Sequence, residues 1–106
     1  MRIINKKEFL KLPEGTIYCK GKRWYWEQIC VKSKSYDNDW RYFMLDQIPS
    51  KDSGEWLSNQ ERMLETGESM PIQIAEIRDG SFEDDDIFLI YEEKDLKILR
   101  EYFETH

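Results

Sequence analysis

At 106 residues, with 40% hydrophobic and 14% aromatic side chains, the chain can build one core but not two, and 36% charged residues do not make it disordered. Its net charge of −6 and pI near 4.8 oppose direct binding to nucleic acid. No apolar run approaches the roughly 20 residues of a membrane span, and the opening MRIINKKEFLKLPEG lacks the apolar stretch of a secretory signal. A single cytoplasmic domain over residues 1–106 is expected.

Asn5 to Glu8 has the form of a capping box, with Glu8 reaching back to an Asn5 N-cap. It predicts a short helix carrying Phe9, Leu10 and Leu12, stopped by Pro13. Thr16 to Lys20 reads as a strand. The segment CKGKRW reads as a hairpin turning at Gly21 and Lys22, which sets Cys19 opposite Trp24 and Cys30 opposite Pro13. The two sulfurs then lie about 20 Å apart along the ladder, beyond disulfide reach, so both cysteines are expected as thiols. Residues 24–34 and 40–48 read as the second and third strands, rich in aromatic and β-branched types.

The period then changes. Asp52 to Glu55 again resembles a capping box, and Trp56, Leu57, Met63 and Leu64 share one helical face up to a stop at Thr66 and Gly67. A strand follows Pro71, with Ile72, Ile74 and Glu76 on one side. A short apolar strand spans Ile87 to Tyr91. A closing helix from Glu93 to about Glu104 is expected to bury Leu96, Leu99, Tyr102 and Phe103. The predicted class is α+β: a mainly antiparallel sheet of about five strands with three helices, in the order αβββαββα. The strands carry apolar residues on both faces, so the helices are expected to cover both; the alternative is an aromatic face left open to a ligand or partner.

Charge is sorted along the chain rather than mixed. Residues 1–35 carry nine Lys/Arg against three Asp/Glu, whereas residues 36–93 carry four against sixteen. The stretch from Asp79 to Asp86 is the most concentrated acidic segment. Its spacing does not match a calcium loop, because Ser81 and Phe82 offer no alternating ligands, and no metal is expected. The bland reading is a solvated turn; the sharper one is an acidic contact surface of Asp37, Asp39, Glu83, Asp84, Asp85 and Asp86, with Trp40 or Trp56 as a desolvated anchor. A separate constellation of Lys22, Arg23, Trp24 and Trp26 could hold a nucleotide-like signal by stacking and charge neutralisation. Its plain alternative is that the tryptophans are core and the basic residues a solvated hairpin edge. Catalysis is poorly supplied. His106 is the one histidine, at a terminus, and no phosphate-cradling glycine loop is present. No enzyme and no cofactor are expected.

The opening KKEFLKLPEGTIYCK resembles the EFLKLPxGT openings of small bacteriophage and prophage proteins. The later RDGSFEDDDIFLIYEEKDLKILREYF is similar to the RDGxF and YExxDxxxL ending of the same proteins. The two segments occur in the same order and bracket a middle that shows no such match. The resemblance implies a virus-encoded accessory protein acting in the bacterial cytoplasm. Small acidic proteins of this kind often block bacterial defence, anti-CRISPR proteins among them. The expected partner is a host protein that handles nucleic acid as part of an immune system.

Overall fold

A computed structural model describes residues 1–80 and 83–105. Nine elements follow in the order β1 (Arg2–Asn5), α1 (Lys6–Leu10), β2 (Ile17–Lys22), β3 (Tyr25–Ser35), β4 (Trp40–Gln47), α2 (Ser53–Thr66), β5 (Gln73–Asp79), β6 (Ile87–Tyr91) and α3 (Glu93–Thr105). The fold is α+β. Six strands form one antiparallel sheet in the order β1-β6-β2-β3-β4-β5. The strand absent from the sequence reading is β1, four residues on the sheet's outermost edge. Its last residue, Asn5, is also the N-cap of α1 and accepts from the Glu8 amide at 2.9 Å.

The sheet coils around its inner face. Phe88 on β6 and Trp40 on β4 are three strands apart, about 14 Å in a flat sheet, yet their ring centroids lie 5.4 Å apart. Phe9 of α1 fills the trough between them, stacked on Phe88 at 4.0 Å and edge-on to Trp40 at 5.2 Å. Tyr18, Cys30 and Ile90 complete this buried cluster. Below it Lys20 on β2 reaches Asp79 on β5 at 3.0 Å, again across three strands.

The hairpin between β2 and β3 differs from expectation in register. Lys22 pairs with Tyr25, Gly21 with Trp26 and Cys19 with Ile29, so the turn falls at Arg23 and Trp24. A bulge opposite Lys20 absorbs one residue of β3. It turns Trp26 to the same face as Ile29 and leaves Cys30 on the other, whereas strict alternation grouped Trp26 with Cys30. Gly21 is needed for close approach. A Cβ there would collide with the Tyr25 carbonyl and stand 2.6 Å from the Trp26 ring. Cys19 and Cys30 are free and buried, as expected, but for a different reason. They occupy neighbouring rungs and point to opposite faces of the sheet, rather than being far apart along it.

Helix coverage is one-sided. The inner face is filled by α1, but α2 and α3 bury no residue completely. Leu96 and Leu99 are half-buried, whereas Tyr102 and Phe103, expected in the core, are exposed. On α2, Trp56 and Met63 are half-buried and Leu57 and Leu64 exposed. The outer face, crossed by α3 only near Ile17, Ile29 and Leu45, is therefore the less covered one. Among the described residues no helix is long and apolar enough to cross a membrane.

Candidate functional site

The acidic segment leading into β6 lies across two lysines of the basic amino-terminal third. The Lys22 ammonium, at the end of β2, lies 2.8 Å from Glu83 Oε2, 2.7 Å from Asp85 Oδ1 and 2.7 Å from Asp86 Oδ1. Lys6, buried at the start of α1, approaches the Glu83 carbonyl at 3.5 Å and Asp84 Oδ1 at 3.6 Å. Strand order explains the meeting: β2 and β1 flank β6, so a segment preceding Ile87 emerges beside Gly21 and Asn5. The three carboxylates hold the Lys22 ammonium well above the usual lysine range, with Asp85 contributing most. In return Lys22 holds the Asp85 carboxyl below the usual carboxylate range.

The carboxylate oxygens of Glu83, Asp85 and Asp86 lie within 4.8 Å of one another, a spacing a metal ion accepts. Lys22 Nζ already stands where such an ion would sit. The cluster is thus a staple in which one ammonium offsets part of the charge of three carboxylates, with the remaining charge turned outward. Asp84 is 90% and Asp85 80% exposed at the side chain, but Asp86 is only 3% exposed. Asp86 therefore leaves the candidate contact surface, because its carboxylate is turned inward onto Lys22.

Asp37 joins Asp84 although 47 residues separate them. Both line a recess of about 460 Å³ whose other walls are Asn5, Lys6, Lys7, Leu10 and Asn38. Asp39, by contrast, is engaged by Arg78 in a two-pronged pair at 2.7 and 3.2 Å, which holds its carboxyl below the ordinary range. The Arg78 guanidinium also lies over the Tyr36 ring, 4.2 Å from its centroid.

Of the two expected anchors, Trp40 is fully buried and donates from Nε1 to the Tyr18 hydroxyl at 2.7 Å. It cannot reach a partner, because the coiling of the sheet makes the first residue of β4 the centre of the core. Trp56 lies half-buried on an open groove bordered by Met44, Gln47, Gln73 and Ala75.

Lys22, Arg23 and Trp24 do line a common recess of about 280 Å³, with Asp85 and Ile87. Trp26 lies outside it, on the sheet's outer face. The cation meant to neutralise a phosphate is already surrounded by three carboxylates, which would repel one. Cys30 is no nucleophile either: burial, reinforced by Cys19, pushes its thiol up to about 12. Ser81, Phe82 and His106 lie outside the described residues.

No family model, no curated protein and no solved structure matches this chain. Function rests on the geometry above.

Proposed function

We propose that this chain is a non-enzymatic, phage-encoded inhibitor acting in the bacterial cytoplasm, which occupies a basic surface on a host defence protein. The observation that carries the reading is the convergence of Asp37 and Asp84 on one recess, continued by the outward carboxylates of Glu83 and Asp85. A ridge of fixed carboxylates matches a groove that normally holds phosphates. Lys6, through the Glu83 carbonyl, and Lys22, through the carboxylates of Glu83, Asp85 and Asp86, tie residues 83–86 to the sheet, so little ordering entropy is lost there on binding. The resemblance of both ends of the chain to phage accessory proteins supports the biological setting, anti-CRISPR-like or of another anti-defence type. The nucleotide-holding alternative is less favoured, since Lys22 is engaged and Trp26 faces elsewhere.

The test is capture of partners from bacterial lysate by the wild-type chain and by an Asp37→Lys/Asp84→Lys variant. The wild type should retain a nucleic-acid-binding protein at low salt. High salt should release it, because charges beyond a Debye length of about 8 Å are screened at physiological strength. Added polyanion should compete it away. Retention of the same partner by the double variant, or a partner indifferent to polyanion, would sink the acidic-ridge reading.

A further inference from the structure

Away from the acidic ridge, the feature left unexplained is apolar surface on the outer face of the sheet. Leu96, Leu99 and Phe103 of α3 border a groove of about 470 Å³ floored by Ile17, Ile29 and Leu45. The groove is open: Phe103 is 75% exposed although it lines the wall. Ile98 and Tyr102, four residues apart and therefore stacked on one side of α3, are exposed as well. A second apolar recess adjoins the groove at Leu99, where Tyr91 and Ile98 meet. The radius of gyration, 16.0 Å, exceeds the roughly 13 Å of a compact domain this size.

We propose that this face is the contact between two copies of the chain, with α3 of each lying over the groove of the other. The size fits. Ile3, Ile29, Ile74, Ile98, Tyr102 and Phe103 are exposed, and at roughly 100 Å² each they supply most of the roughly 800 Å² that one partner brings to a standard interface. The half-buried Ile17 and Leu45 on the groove floor supply the rest. The charge fits as well. The acidic ridge lies beside α1 on the inner side; on the outer face Arg41 and Glu76 neutralise each other, and Asp46 is a single carboxylate at the edge of the groove. Two outer faces can therefore meet without apposing the chain's concentrated negative charge.

The occupant follows from what the face requires. Among the described residues the fully buried aliphatic and aromatic side chains are confined to the inner cluster around Phe9, so the outer face needs cover for the fold to persist. Such cover must be present in equal amount from synthesis onward, a condition a second copy satisfies. A twofold contact also sets the apolar side of one α3 against the same side of the other, which makes the surface self-complementary.

Sedimentation equilibrium on the full chain tests this. The expected mass is that of two 12.9 kDa chains, with a melting temperature that rises with protein concentration. Ile98→Glu and Phe103→Glu should each shift the chain toward monomer, whereas Leu64→Glu, on the exposed side of α2, should not. If the glutamate variants fail to fold, a Tyr102→Cys chain decides, because oxidation links two copies only if their α3 helices meet. A single-chain mass at all concentrations, a larger assembly, or a dimer that persists in both glutamate variants and is not linked at Cys-substituted position 102 overturns the proposal.

Discussion

Tyr18 and Trp40 share a hydrogen bond inside the core. The Trp40 indole donates to the Tyr18 hydroxyl at 2.7 Å, and both side chains are buried. Burial also pushes the Tyr18 phenol above its ordinary range, so it stays protonated throughout the physiological range. Tyr18→Phe keeps the ring but strands the indole N–H. The expected loss is about 1–3 kcal/mol by urea unfolding, the cost of an unsatisfied buried donor. At Lys22 the effect depends on pH. The Asp85 carboxyl lies below its unfolded value of about 3.9. It therefore contributes stability present above that value, which is lost as pH falls through its depressed native one. Lys22→Met removes the cation and leaves three carboxylates repelling one another. Its urea midpoint should fall below that of wild type at neutral pH. On acidification that midpoint should rise while the wild-type midpoint drops. Parallel acid profiles for the two proteins would mean that Lys22 is not the staple.

Among the elements, the helix starts were the most legible, because an N-cap is written in a few adjacent residues, whereas α1 ends at Leu10, before the expected Pro13 stop, and leaves Leu12 outside it. Asn5 and Asp52 both accept the expected amide, from Glu8 at 2.9 Å and Glu55 at 2.8 Å, and Gly67 closes α2 at φ 72°. Strand register was less legible. Gly21 looked like a turn glycine, but its role is to let the Trp26 ring lie against the β2 backbone, and that contact exists only once the strands pair. Gly21→Ala should therefore cost about 1–3 kcal/mol through overpacking, even though alanine suits a strand at least as well. A midpoint unchanged by that substitution would contradict the hairpin geometry. At α2 the expected effect is local. Since the helix buries no residue completely, Asp52→Ala should cost about 1 kcal/mol of helix stability. That loss should appear as faster amide exchange within residues 53–66, with the global unfolding midpoint nearly unchanged.

Across the whole molecule, the sorting of charge along the chain proved to be partly an internal match. The basic third and the acidic middle meet because β6 inserts between β1 and β2, pairing Lys22 with Glu83, Asp85 and Asp86 and Lys6 with Asp84. Composition shows the imbalance of the two segments, but only topology shows how much of it is spent within the fold. The same holds for hydrophobicity. The sequence shows apolar residues on both sides of the strands, yet which side α1 covers depends on the coiling that places Trp40 against Phe9. Native-state hydrogen exchange should reflect this one-sidedness, with the slowest amides at Tyr18, Cys30 and Phe88 and faster ones in α2. The unequal placement of the four tryptophans makes Trp24 and Trp40 the two extremes of solvent access, with Trp26 and Trp56 between them. Trp40 is shielded completely, whereas Trp24 is 79% exposed and shares a recess with Asp85. Collisional quenching of intrinsic fluorescence should thus act on Trp24 and spare Trp40.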